Sequence, residues 1–174
     1  MSDLPVVVLR PLVVADCAVL EPAYAAAAND PYSWPGHRSP GWLLQRLTDG
    51  TIHTDTGATL AVTDEAGALV GDVQYRQTPT GSSVFSWCWG LGIMLLPEWR
   101  GRGYGSAAQR EVARYLFLST TAERVEADTD IDNLAEQRAL ERAGFTREGI
   151  RRRSMFRDGE WHDTVGYAVV RGEL

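Results

Sequence analysis

Hydrophobic and polar positions change their period several times along the chain. Val6, Val7, Val8 and Leu9 form a short β-branched run closed by Arg10 and Pro11, which predicts a first strand. Residues 14–28 are alanine-rich and predict a helix, with Asp16 as a candidate cap and Pro22 as a kink or the first turn of a second piece. Residues 29–40 contain Pro31, Pro35, Gly36 and Pro40 and read as a loop, and residues 40–47 as a short helix ended near Gly50. Strands follow at 59–63 and 68–75, a hairpin around Asp64-Glu65-Ala66-Gly67. After a turn at 79–82, the long aromatic and apolar run 84–96 predicts a central strand. Gly90 and Gly92 inside it predict a bulge or a close backbone approach.

Beyond Pro97 the period lengthens. Residues 105–118 place Ala108, Val112, Tyr115 and Leu116 on one stripe, the mark of an amphipathic helix. A strand is predicted at 124–128 and a helix at 133–142, with Gly144 where a C-cap glycine belongs. Two last strands, 154–157 and 165–170, flank Asp158-Gly159. The alternation of strands and helices ending in a hairpin predicts an α/β (α+β) fold with a mixed sheet.

Composition narrows this picture. The chain has 174 residues, 44% of them hydrophobic and 23% charged, which suits one domain over residues 1–174 with a single core. No apolar run approaches the ~20 residues that span a bilayer, and the apolar stretch near the N-terminus is too short for a signal peptide. The cytoplasm is the expected location, with no membrane partner. Cys17 and Cys88 lie far apart and read as reduced, buried small hydrophobes. His37, His53 and His162 are isolated in sequence, so no metal is expected. The net charge is −6 and all 17 basic residues are arginine. An acidic chain is a poor general binder of nucleic acid.

The stretch most informative about chemistry runs from Leu91 to Gly105, where a strand leads through a glycine-rich loop into a helix. Backbone N–H groups in such a loop and the helix N-terminus favour an anion. Gly101, Gly103 and Gly105 let a phosphate approach the backbone, and Arg100 and Arg102 add charge, which Arg110 and Arg114 could extend. The spacing is neither that of a P-loop nor that of a dinucleotide-binding Rossmann turn.

Arg100-Gly101-Arg102-Gly103-Tyr104-Gly105 resembles the [QR]-x-x-G-x-[GA] loop of the GNAT superfamily of N-acetyltransferases. The block from Asn133 through Glu141 to Gly144-Phe145 is similar to that family's N-x-x-A/S-x-x-L/V-Y/L-E-x-x-G-F helix. Leu9-Arg10-Pro11 and the tail from Gly144 to Asp163 resemble the ribosomal-protein N-terminal acetyltransferase branch.

The resemblance implies a GNAT fold, a mixed central sheet with splayed fourth and fifth strands flanked by helices. It implies acetyl-CoA as co-substrate, with Ile93, Met94 and Leu95 along the pantetheine arm and one backbone N–H as an oxyanion donor. Arg100, Gly101, Arg102, Gly103, Tyr104, Gly105 and Ser106 would receive the pyrophosphate. Asn133 would hydrogen-bond the pantetheine arm, and Asn is equally suited to capping a helix.

The implied general base is the carboxylate five residues before that Asn, Asp128, with Glu126 on the same strand face. Both also read as solvated strand-end carboxylates. The family's usual acid, a tyrosine seven residues after the Asn, is replaced by Leu140, and Glu136 stands where the branch often has Ser. Tyr104 and Cys88 are the remaining acid candidates. Glu126, Asp128, Asp130, Asp132 and Glu136 together suggest an acidic wall at the acceptor entrance. Trp34, Trp87 and Trp89 are candidate acceptor-pocket walls, while Trp87 and Trp89 also suit core packing. Arg151-Arg152-Arg153 reads as a solvated strand edge.

The function expected is direct acetyl transfer to a primary amine, either a small molecule or a peptide N-terminus, by a monomer or homodimer. A non-catalytic acyl-CoA sensor and an enzyme using a longer donor such as succinyl-CoA are the alternatives.

Overall fold

A computed structural model of the protein describes residues 4–27, 31–32 and 38–174. Trp34 and His37 lie outside the described residues, as does most of the predicted loop at 29–40. Strand β1 is Val8–Pro11 and helix α1 is Val14–Ala27, followed by α2 at Trp42–Thr48. Strands β2 (His53–Thr54), β3 (Gly57–Thr63), β4 (Leu69–Pro79) and β5 (Trp87–Leu95) come next. Helix α3 (Tyr104–Ser119), β6 (Arg124–Asp130), α4 (Leu134–Ala143), β7 (Thr146–Arg157) and β8 (Glu160–Val170) complete the order. The described strands form one eight-stranded sheet in the order β1-β3-β4-β5-β6-β8-β7, with β2 paired to β3. All pairings are antiparallel except β5 with β6. The mixed α/β architecture expected from the pattern is the one observed.

Period-2 alternation in the strands divides the interior into two cores. On one face Leu60, Val62, Val73, Val125, Val165 and Tyr167 pack under α3 and α4, through Ala108, Val112, Leu116, Leu140 and Ala143. On the other face Ala61 and Met94 meet α1 and α2, through Cys17, Leu20, Tyr24 and Leu43. Helices α3 and α4 therefore cover one face, and α1 and α2 pack against part of the other.

Several boundaries differ from the expected ones for local reasons. β5 starts at Trp87, because the Thr80 N–H donates to Ser86 O and closes a turn that leaves Val84 and Phe85 exposed. β7 begins at Thr146 instead of 154, with register breaks between Arg147 and Gly149 and between Arg151 and Met155. Irregular pairing on an edge strand hides its alternation. α1 continues through Pro22. Asp16 accepts the Val13 N–H (2.8 Å) as a helix-start carboxylate can, and is also gripped by both terminal nitrogens of Arg10 at 2.6 and 2.9 Å.

That grip ties β1 to α1, and Asp16 is 5% exposed. Burial raises the Asp16 carboxyl pKa, but the Arg10 and Val13 hydrogen bonds outweigh it and hold it below the usual value. A depressed carboxyl stabilises the fold above its unfolded pKa, and the contribution disappears as pH falls through the folded value. Asp16→Asn is expected to lower unfolding free energy by about 1–2 kcal/mol at pH 7. In urea titrations the difference from the native chain should shrink below about pH 4.

Candidate active site

The parallel ladder between β5 and β6 is short. It pairs Trp89 with Val125, Gly90 with Glu126 and Leu91 with Ala127, and then stops. β5 runs on to Leu95 and β6 to Asp130, so the two strands part like a V. These are the splayed strands expected as fourth and fifth, counted one higher here because of the two-residue β2. Past Leu91, the edge of Gly92, Ile93, Met94 and Leu95 that faces β6 has no strand partner. A cavity of about 690 Å³ opens there, lined by Gly90 to Met94, Ala127 to Thr129, Asn133 and Glu136 among others.

Side chains on β5 alternate about this opening. Leu91 and Ile93 turn to the α3 core, as do Trp87 and Trp89. Trp89 is 3% exposed, donates from Nε1 to Thr120 Oγ1 (3.2 Å), and meets Trp87 and Tyr75 edge-on at 5.4 and 5.2 Å. Neither tryptophan lines the cleft, so the acceptor-wall role expected for them is corrected to core packing. The opposite β5 face carries Gly90, Gly92 and Met94, all three lining the cleft.

At the far end of β5 a 3₁₀ turn, Pro97–Trp99, leads into the glycine loop and α3. Gly101 and Gly103 have φ of 70° and 86°, the left-handed region where a side chain is strained. The first helical bond of α3 runs from the Ala107 N–H to Gly103 O (3.1 Å), which leaves the N–H groups of Tyr104, Gly105 and Ser106 pointing out of the helix start. Arg100 Nε donates to Leu95 O (3.1 Å), locking the loop to the end of β5. Arg102 stacks 4.9 Å over Trp99 and 5.6 Å over Tyr104.

Such a nest of N–H groups with two arginines fits a pyrophosphate. One expected reason changes. A Cβ on Gly103 would meet Pro5 Cδ at 3.1 Å, so packing and positive φ, rather than phosphate approach, require glycine there. Arg110 lines a neighbouring cavity of about 840 Å³ with Arg142, whereas Arg114 pairs with Glu111 (3.8 Å).

Asn133 caps α4 by accepting the Glu136 N–H at Oδ1 (3.2 Å). Glu136 turns inward, where Gln109 of α3 donates to it from Nε2 (2.7 Å). Burial pushes the Glu136 carboxyl up to about 7 against the pull of that hydrogen bond. Asp128, across the gap, is also raised by burial, opposed chiefly by the Arg151 guanidinium. Arg151, exposed on the edge strand β7 as expected, also forms an ion pair with Asp128, lies 3.8 Å from Glu126 and lines the cleft. Glu126 also takes Arg124 Nε at 2.6 Å.

The expected acidic wall is therefore largely offset by arginines. Asp130 leaves it altogether: it is 1% exposed and pairs with Arg157 at 3.0 Å, and neither it nor Asp132 lines the cleft. His162, read as isolated, stands 3.8 Å from the same carboxylate. Leu140 is wholly buried, Tyr104 packs edge-on against Trp99 (5.0 Å), and Cys88 is buried with its thiol pushed up to about 12, mainly by burial.

Sequence reasoning missed the wall opposite β6. On β4, Asp72, Gln74 and Arg76 alternate on the cleft side, a polar period of two on a central strand that was a readable signal. Tyr24 of α1 donates to the fully buried Asp72 (2.8 Å to Oδ2), which also takes Gln74 Nε2 (3.0 Å). Burial raises Asp72 to about 6. Arg38 lies 4.6 Å over Tyr24 and 4.0 Å over Trp42 and lines the same cleft.

The family described as acetyltransferase (GNAT) domain matches residues 7–146. The chain belongs to the GNAT acetyltransferase family. It is 34% identical to the probable N-acetyltransferase YjcK of Bacillus subtilis over 143 residues, 82% of this chain and 76% of that protein. Among solved structures it is similar to Mycobacterium smegmatis RimJ in complex with CoA-disulfide, with a TM-score of 0.79 at 20% identity over 98% and 84% of the two chains. It is likewise similar to Vibrio cholerae spermidine N-acetyltransferase in complex with CoA and spermine, with a TM-score of 0.77 at 19% identity over 96% of each. At these identities the structures establish the shared GNAT fold.

The loop geometry generates one prediction. Gly103→Val in this GNAT chain is expected to weaken coenzyme A binding about tenfold, since a β-branched residue at positive φ distorts the nest. Calorimetry giving native affinity would remove residues 100–106 from the phosphate site.

Proposed function

We propose that the protein is an N-acetyltransferase that uses acetyl-CoA and acetylates a primary amine, a small molecule or a peptide N-terminus, by direct attack in a ternary complex. The observation that carries this reading is the unpartnered edge of β5 beyond Leu91. It borders the cleft that holds Asp128 and Asn133 and leads, through Leu95 and the 3₁₀ turn, to the N–H groups at the start of α3. The pyrophosphate would rest on the N–H groups of residues 101–106 with Arg100 and Arg102 beside it. The pantetheine arm would pair along the unpartnered edge of Ile93, Met94 and Leu95 and reach Asn133. A β5 N–H would polarise the thioester carbonyl.

The amine attacks only as the free base. Asp128 takes its proton, the nitrogen bonds to the carbonyl carbon, and the carbon–sulfur bond breaks to release coenzyme A as thiolate. The Glu136 carboxyl, which burial raises to about 7, lines the same cleft and would return a proton to that sulfur. Glu126 holds Arg151 and Arg124 and so sets the charge around the base. A buried thiol with a pKa near 12 makes a poor nucleophile, which supports direct transfer over an acetyl-cysteine intermediate. The same reading takes residues 1–174 as a single catalytic domain working in the cytoplasm.

Asp128→Asn is expected to lower kcat about 100-fold or more at pH 7 while acetyl-CoA affinity stays unchanged. Activity should partly return at high pH, where the free amine dominates. Native kcat would exclude Asp128 as the base. Cys88→Ala should keep its activity, and recovery of an acetylated Cys88 that passes its acetyl group to the amine would overturn direct transfer. Free-thiol release over an amine panel separates this enzyme from a protein that only senses acyl-CoA.

A further inference from the structure

Three strands carry the cleft side of the acceptor slot. On β4 the alternating residues are Gln74 and Arg76; on β5, Gly92 and Gly90; on β6, Asp128 and Glu126. In register, Arg76 stands opposite Gly90, and Gly90 opposite Glu126. Neighbouring strands lie ~4.8 Å apart, so the β4 and β6 backbones stand ~10 Å apart where Arg76, Gly90 and Glu126 are in register, and β6 then diverges towards Asp128. The Thr78 side chain from β4 lies over Gly90. A Cβ on Gly92 would meet nothing within 4 Å, which marks open space above it.

The walls differ in charge. Arg38, Arg76 and Arg151 line the cleft against Glu126, Asp128 and Glu136. Arg151 is already engaged by Asp128 and Glu126, on the β6 side. On the β4 side Arg76 is exposed, and its side chain makes no hydrogen bond or ion pair among the described residues. Its charge nevertheless reaches Asp128 across the slot, where it favours the ionised carboxylate. Arg38 adds a second cation to that side, laid over Tyr24 and Trp42.

We infer that the acceptor is zwitterionic, an amine carrying a carboxylate on the same or the next carbon, as in a free amino acid, with its ammonium at Asp128 and its carboxylate at Arg76. The inference rests on the acetyltransferase reading above and narrows its acceptor. In an α-amino acid the amine nitrogen and the carboxylate oxygens are about 3 Å apart. An aspartate and a long arginine side chain reaching inward from the two sides of the cleft can close on such a pair with hydrogen bonds at both ends. A polyamine would bring its second ammonium towards Arg76 and Arg38. A peptide N-terminus would offer Arg76 only a neutral carbonyl in place of a carboxylate, a weaker partner.

The test compares matched acceptors with acetyl-CoA: an L-amino acid, its α-amide, the amine lacking the carboxyl group, and spermidine, read as kcat/KM from free-thiol release. The native protein should prefer the acid over its amide by about 10- to 100-fold, the effect of one charge-assisted hydrogen bond. Arg76→Gln should bring that ratio close to one, mainly through KM of the acid, and Arg76→Lys should restore part of it. Unchanged acetyl-CoA affinity in both variants shows that the fold and donor site are intact. Amides or spermidine turned over as well as the acids, or a ratio that survives Arg76→Gln, would overturn the zwitterionic acceptor and leave the acetyltransferase reading standing. No thiol release with any amine would overturn both.

Discussion

The chemistry of this protein depends on where one hydrogen-bonded ladder ends. β5 and β6 pair over three residue couples and then separate, leaving backbone groups in the middle of a sheet without partners. Unpaired interior N–H and C=O groups are costly, so a split of this kind persists only when each strand is held firmly elsewhere. β4 pairs with β5 along its whole length, from Pro79↔Trp87 to Gly71↔Leu95. β8 does the same for β6, from Arg124↔Val170 to Asp130↔Thr164. Beneath the split, the core under α3 and α4 joins Val73 and Trp89 on one side to Val125 and Tyr167 on the other. The free edge is thus an exposed strand template inside a rigid frame, which suits an extended amide-bearing chain such as pantetheine.

The same split places titratable groups along one cleft. Asp128 and Glu136 both line it, and burial raises both carboxyl pKa values. Arg151 moderates the first and Gln109 the second, so two carboxyl groups in one cleft acquire different proton affinities. That separation is what acid and base roles need near neutral pH. Asp72, bonded to Tyr24 and Gln74, ties α1 to β4 beside the slot. Arginine supplies every cation in the chain, and its planar fork permits the two-partner contacts that Arg10, Arg124 and Arg151 make.

Local signals were legible where one element decides the outcome. The helical stripe of Ala108, Val112 and Leu116, the cap at Asn133 and the glycine at 144 all appear as expected. So does the strand–glycine loop–helix order around Gly101 and Gly103. The β7 start was not legible, because register breaks at Gly149 and around Arg153 hide alternation on an edge strand. Trp87 and Trp89 were ambiguous from sequence. A strand's alternation identifies two faces, but not which of them is covered by a helix.

By itself the sequence determined the class of the fold, the family and the glycine loop between strand and helix, because those follow from period, turn chemistry and motif spacing within short segments. It also placed Asp128 and Glu126 on one strand face, since alternation alone requires it. Only the tertiary structure decided what surrounds them. Arg151 lies 23 residues from Asp128 and pairs with it because β8 sits between β6 and β7. Arg76 lines the same cleft from β4, across the β5 glycines Gly90 and Gly92. Charge neighbours and desolvation depend on which strands lie side by side. That order is set by the packing of the whole sheet between two cores, a property that no single segment encodes.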